Sequence, residues 1–198
     1  MKIFALAPFA VVCAALPVHA QDPAQVQKLF EAGQYQQVVE SAGPDAPPAV
    51  LYIVGMSLQK MGDAGQAVAT YRRLAERPDG DPWQLVGQSA QQLAEDQLDA
   101  ALESANRAVG AAGDLPEAHF QLGLVLAKRQ DWHAAAMAFD RAAELNPSLA
   151  YAHYYGGLMY YRARQPDRMA NRFERFLRLA PEAPERPEVL QIMRTIRG

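Results

Sequence analysis

One period governs this sequence. Pro48, Pro82 and Pro116 each open a segment of 34 residues, and Ala150 opens a fourth, all in register without insertion. Self-similarity at such a spacing means a stack of like supersecondary units, none of which buries its apolar face alone. The shared columns say what the unit is. The eighth position holds Gly55, Ser89, Gly123 and Gly157, and the twentieth holds Ala67, Ala101, Ala135 and Met169. The twenty-fourth holds Tyr71, Ala105, Phe139 and Phe173, and the twenty-seventh Leu74, Ala108, Ala142 and Phe176. Two helices approach closely only where side chains are small, and a bulky residue nearby fills the gap that remains. A proline heading a segment gives up no helical hydrogen bond, and Asn146-Pro147 and Ala180-Pro181 mark where two second helices must stop. Each unit is therefore predicted to be a helix-turn-helix hairpin.

The flanks extend the pattern. Residues 23–42 read as helix, Gly-x-Tyr turn and helix, but Gly33 precedes the matching Gly62 by only 29 residues, so this first hairpin is shortened. Pro44, Pro47 and Pro48 form its joint to the array. At the far end Pro187 begins an amphipathic stretch with Val189, Leu190, Ile192, Met193 and Ile196 on one side. A stack of hairpins needs its last apolar face covered, and this stretch is the expected cap.

The four in-phase segments resemble the tetratricopeptide repeat (TPR), which carries Gly at the eighth site, Ala at the twentieth, an aromatic at the twenty-fourth and Pro near the end. The likeness is strong over 116–149 and good over 150–183 and 48–81. It is degenerate over 82–115, where Gln88, Ser89, Gln92 and Gly113 occupy signature sites. The resemblance implies an all-α chain, a right-handed α-solenoid of stacked hairpins. Its expected parts are a shortened hairpin over 21–47, TPR units over 48–81, 82–115, 116–149 and 150–183, and a capping helix over 184–198. It also implies a non-catalytic scaffold that binds another protein.

The first twenty residues stand apart. Met1-Lys2 gives a short positive start, Ile3 to Leu16 is almost wholly apolar, and Pro17 precedes Val18-His19-Ala20. This is the pattern of a secretory signal with cleavage expected after Ala20, which places the mature chain in the periplasm or outside the cell. An uncleaved anchor is the weaker reading, because the apolar run is short and has no basic stop-transfer flank. Cys13 is not preceded by a lipobox, since Ala10-Val11-Val12 lacks its leucine and its small residue. If the signal is removed, no cysteine remains, and helix packing alone must hold the fold.

In the family, the first helix of each hairpin lines a concave groove with its second, fifth, ninth, twelfth and thirteenth residues. The resemblance carries those sites onto Tyr52, Met56 and Lys60, then Trp83, Val86 and Leu93, then Phe120, Leu124 and Lys128. The last unit contributes Tyr151, Tyr154, Leu158, Tyr161 and Arg162. Aromatic anchors with a few cations suit a groove for a partner peptide or helix. The competing reading buries this stripe beneath a neighbouring hairpin or the cap. No asparagine stands at the groove sites, so the clamp that some TPR proteins use for acidic chaperone tails is not expected.

Charge is uneven. Beyond Lys2 the chain carries 18 basic and 22 acidic residues, with 9 basic and 5 acidic ones over 150–198. Arg164, Arg168, Arg172 and Arg175 fall at three- and four-residue steps and form a basic ridge. The favoured reading is a solvated outer helix face, helped by Glu174 four residues before Arg178. The alternative is a docking face for an anionic envelope polymer such as peptidoglycan. An acidic, exported domain is a poor candidate for nucleic acid.

No motif carries chemistry. His119 and His153 share the fourth site of adjacent units, yet no cysteine or spaced carboxylate accompanies them as metal ligands. Nucleophile elbows, phosphate loops and dinucleotide fingerprints are absent from the sequence. No cofactor, metal or enzymatic activity is expected, and no transmembrane segment in the mature chain.

Overall fold

The structure, a computed structural model, describes residues 22–197, so the expected export signal, its cleavage point and Cys13 lie outside the described residues. The side chain of Ile196 lies outside them too. Helices α1 (Pro23–Glu31) and α2 (Tyr35–Ser41) form a short first hairpin. Four longer ones follow: α3 (Pro48–Lys60) with α4 (Ala64–Ala75), and α5 (Pro82–Ala94) with α6 (Leu98–Ala111). Then come α7 (Pro116–Lys128) with α8 (Trp132–Leu145), and α9 (Ala150–Arg162) with α10 (Pro166–Leu179). The final helix is α11 (Arg186–Arg197), and there is no strand among the described residues. Consecutive helices pack against one another along the chain, which is the α-solenoid the repeat implied.

Local chemistry starts and stops these helices. Proline stands in the first turn of α1, α3, α5, α7 and α10. Asp22, Asp63, Asp81 and Asp131 cap α1, α4, α5 and α8, each carboxylate accepting a hydrogen bond from a backbone N–H of the first turn. Every hairpin turns the same way. Gly33, Gly62, Asp96, Gln130 and Arg164 all adopt left-handed backbone, with φ between 57° and 82°. In each case the next residue donates its N–H to a carbonyl five residues back, as Asp63 does to Leu58 at 2.9 Å and Gln165 to Tyr160 at 2.9 Å. That is the Schellman turn, which satisfies the last helical carbonyls and reverses the chain.

The period also sets the packing. A Cβ added at Gly123 would lie 2.7 Å from the Phe139 ring, and one at Gly157 would lie 2.5 Å from the Phe173 ring. Gly55 faces Tyr71 even more closely. The eighth-site glycine thus admits the twenty-fourth-site aromatic of its own hairpin. In the degenerate unit both columns change together: Ala105 replaces the aromatic, and the freed room lets Ser89 donate its hydroxyl to the Ala101 carbonyl at 2.9 Å. The cost is a thin core, for Ala101, Ala105 and Val125 form a small cluster apart from the main one. The main core runs from Val26 to Met193, and α11 contributes Val189 and Met193 to it.

Candidate functional site

The solenoid closes on itself. Phe30 of α1 packs on Tyr151 of α9 with ring centroids 4.8 Å apart. The neighbouring Glu31 accepts a hydrogen bond from the Ala150 N–H, the first residue of α9, at 3.4 Å. Gly33, in the α1–α2 turn, faces Pro184, and a Cβ there would meet that ring at 3.1 Å. Lys60, at the end of α3, makes an ion pair with Glu185 at 2.6 Å and stands 5.4 Å from the centre of the Tyr151 ring. Tyr151 in turn donates its hydroxyl to Glu185 at 2.7 Å, and Tyr154 donates to Glu188 at 3.1 Å. The first hairpin and the last therefore meet across the concave face.

This closure changes the character of the predicted groove stripe. Tyr52, Val86, Phe120, Tyr151 and Tyr154 are core residues, each no more than 6% exposed. Tyr52 donates its hydroxyl to the Gln121 amide oxygen at 2.8 Å, and Gln121 donates to Ser89 at 3.2 Å, so a buried polar chain joins three hairpins. Phe120 packs edge-on against Phe139 and Tyr155. Trp83 is half-buried beside Tyr52. These side chains hold the array together rather than line an open groove. Their sites point inward as the family pattern has it, but inward is now interior.

One cavity between these elements is open and holds about 500 Å³. Five of the predicted residues line it, namely Met56, Lys60, Leu93, Leu124 and Lys128. Phe30, Gln59 and Tyr155 complete the lining and were not singled out from sequence. For two of them a signal existed. Aligning Gly33 on Gly62 puts Phe30 in the column of Gln59, the twelfth site of the groove set. The volume is that of a site for a small molecule or a few side chains. Burial opposes the charge on Lys60, but the facing Tyr155 phenol and the Glu185 carboxylate outweigh it and hold the amine above the ordinary lysine range. Lys128 is more exposed and lies 3.4 Å from Asp96. Tyr161 and Arg162 are exposed at the far end of α9, where Arg162 lies 5.9 Å from the centre of the Trp132 ring.

The basic ridge is partly engaged by its neighbours. Arg164 lies in the α9–α10 turn with φ 57°, ahead of the helix that carries the others. Arg172 is drawn into an ion pair with Asp140 of α8 at 2.8 Å, and Arg168 lies 5.5 Å from the centre of the Tyr160 ring. Arg172 thus ties the last two hairpins together, Arg168 packs within the last one, and Arg164, Arg168 and Arg175 stay exposed.

The paired histidines have a structural role. His119 and His153 each bond the backbone carbonyl six residues back, Gly113 at 3.0 Å and Pro147 at 3.3 Å. Both therefore pin the loop that enters their own first helix, which explains why the residue repeats with the period. Among the described residues no group of three or more His, Cys, Asp or Glu is placed to hold a metal ion. Also among them, no helix is long and apolar enough to cross a membrane.

A family model described as tetratricopeptide repeat matches residues 49–79 and 117–148. The chain carries tetratricopeptide repeats. Among solved structures it resembles TTC0263, a thermophilic TPR protein of Thermus thermophilus, at 18% identity and a TM-score of 0.63, over 88% of this chain and 98% of that one. It also resembles MamA (residues 41 to the end) from Desulfovibrio magneticus RS-1, at 23% identity and a TM-score of 0.50, over 81% of this chain and 94% of the other. Likeness at these identities shows the fold. No curated protein sequence matches the chain. The matched segments are the hairpins α3–α4 and α7–α8, whose eighth and twenty-fourth sites pair Gly with an aromatic. A TPR array is in general a scaffold for binding other proteins, and the repeats support that broad role for this chain.

Proposed function

We propose that this protein is an exported adaptor of the bacterial cell envelope that binds a partner protein through its concave face, and that it performs no catalysis. The observation that carries the reading is the cavity lined by Met56, Leu93, Leu124 and Tyr155. It is an apolar floor with Gln59, Lys60 and Lys128 as polar lining, a combination that anchors a partner side chain while orienting it. Export rests on the sequence of the first twenty residues, with cleavage after Ala20. The partner is a component of envelope assembly or secretion, met after export.

Two measurements test this. Fractionation of cells expressing the chain, with N-terminal sequencing of the product, should find it outside the cytoplasm and beginning at Gln21. Affinity capture by the mature protein should enrich one envelope protein, and Leu93→Glu with Leu124→Glu, both half-buried, should abolish that capture while leaving the helical signal intact. Retention in the cytoplasm, or capture indifferent to the two glutamates, sinks the reading.

A further inference from the structure

The concave face is already occupied, and its occupant is part of the chain. Besides the cavity of about 500 Å³ there is a second, of about 460 Å³, on the side lined by Gln27, Glu31, Ile53, Glu117 and Leu149. Between them lies a void of about 10 Å³, roughly the space of one water. Phe30 and Met56 line both the void and the first cavity, while Gln27, Ile53, Glu117 and Leu149 line both the void and the second. The small void thus shares walls with both cavities, and the Phe30 ring stands in the wall towards the first.

We propose that α1 is a displaceable self-ligand, and that the partner replaces it with an amphipathic helix presenting the same pair, an aromatic residue followed by a carboxylate. This rests on the reading that the partner binds the concave face. The chemistry of the occupant defines what the face accepts. Phe30 is 2% exposed, seated on the Tyr151 ring and tilted against Tyr35. Glu31, 8% exposed, offers its carboxylate to a free N–H at the start of α9, and Gln27 donates to the same oxygen at 2.9 Å. An aromatic slot beside a helix N-terminus recognises these two groups together.

The hairpin is also built to leave. Its helices have 9 and 7 residues, below the length at which a helix holds itself together, so docking is what keeps them folded. It joins the array through residues 43–47, a non-helical segment with Pro44 and Pro47. Closure carries a cost as well, since burial pushes the Glu31 carboxyl above the ordinary carboxylate range, against the hydrogen bonds from Gln27 and Ala150.

A reversible lock tests the proposal in the mature chain, which holds no cysteine of its own once residues 1–20 are gone. A Cβ at Gly33 would stand 4.0 Å from the Pro184 Cβ, within the span of a disulfide, so Gly33→Cys with Pro184→Cys should fix the hairpin in place when oxidised. The probe is a fluorescein-labelled peptide of residues 22–42, followed by anisotropy. The reduced protein should bind it and the oxidised protein should bind at least tenfold more weakly. A probe carrying Phe30→Ala should bind the reduced protein at least tenfold more weakly than the unsubstituted probe. Phe30→Ala with Glu31→Ala in the protein, which loosens its own hairpin, should tighten binding of the unsubstituted probe at least tenfold. Equal binding to oxidised and reduced protein, or to both probes, overturns the self-ligand. Capture of the envelope partner that ignores the lock overturns it too, but leaves the adaptor reading standing. Failure to capture any partner in either state counts against the adaptor reading, while the peptide still decides the self-ligand.

Discussion

Lys60 and Glu185 lie 125 residues apart in the chain and 2.6 Å apart in space. Glu185 is the deeper member, its side chain 11% exposed against 28% for Lys60, and it also accepts the Tyr151 hydroxyl. The pair joins the end of the first full repeat to the segment after the last, so the ring of hairpins is fastened by a carboxylate that serves two donors.

The two members should therefore respond unequally to removal. Glu185→Ala strands both the Lys60 amine and the Tyr151 hydroxyl, and should cost about 1–3 kcal/mol. Lys60→Met leaves Glu185 its tyrosine partner and keeps an apolar stem over the ring, and should cost about 1 kcal/mol or less. Urea titrations of the two variants and their combination give the values. Equal losses would mean that the hydroxyl contributes nothing and the contact is a simple surface pair.

The eighth-site glycines make a second prediction. Gly157→Ala places a methyl 2.5 Å from the Phe173 ring, in a helix pair that cannot separate without disturbing α11. Overpacking of this kind costs about 1–3 kcal/mol. Ser89→Ala has no such clash and should cost about 1 kcal/mol, the lost hydrogen bonds to Ala101 and Gln121 being its only penalty. Thermal melts should rank Gly157→Ala well below Ser89→Ala. A melt of Gly157→Ala at the parent temperature would mean that the hairpin is looser than its packing implies.

Acid should loosen the last two hairpins. His153 is fully buried, and its Nε2–H donates to the Pro147 carbonyl while Arg172 donates to its Nδ1 at 3.4 Å. Burial holds the imidazole below the ordinary histidine value of 6.5. The Pro147 hydrogen bond opposes this, Arg172 and Arg175 reinforce it, and Asp140 opposes it. Since the folded pKa is the lower one, the unfolded chain binds more protons between the two values, and stability rises with pH across that window. The contribution is complete above about 6.5 and declines as pH falls towards the folded pKa. Denaturation midpoints between pH 7.5 and 5 should show the decline, and His153→Gln should flatten it. An unchanged slope in that variant would assign the acid sensitivity to other groups.

The sequence pattern exposed some of this and hid the rest for physical reasons. Gly123 with Phe139, and Gly157 with Phe173, were legible because both partners belong to one hairpin and the period aligns them. Tyr52, Phe120 and Tyr151 were legible as an inward stripe, but not as core. Whether inward means groove or interior depends on curvature, which accumulates from small rotations between successive hairpins and has no residue of its own. For the same reason no local pattern announces that Phe30 meets Tyr151. The turns were half legible. Gly33 and Gly62 advertise left-handed backbone, whereas Asp96, Gln130 and Arg164 hold it under residues chosen for other reasons.

That substitution pattern gives the last prediction. Gln130 has φ 65° at the position where Gly62 has φ 82°, and its N–H bonds the Ala127 carbonyl at 3.0 Å in the same turn. A side chain in this region costs about 1–2 kcal/mol in steric terms, and glycine recovers most of it at the expense of a more flexible unfolded chain. Gln130→Gly should accordingly stabilise the fold by about 0.5–1 kcal/mol, and Arg164→Gly by a similar amount. Asp96→Gly should gain less, because an aspartate tolerates the left-handed region better and the change removes a carboxylate beside Lys128. Gly62→Ala should lose about 1 kcal/mol, with nothing within 4 Å to blame but the backbone itself. Guanidinium unfolding midpoints measure all four. Stabilisation by Gln130→Gly together with destabilisation by Gly62→Ala would trace both effects to one dihedral, and a neutral Gln130→Gly would show that the turn is already relaxed.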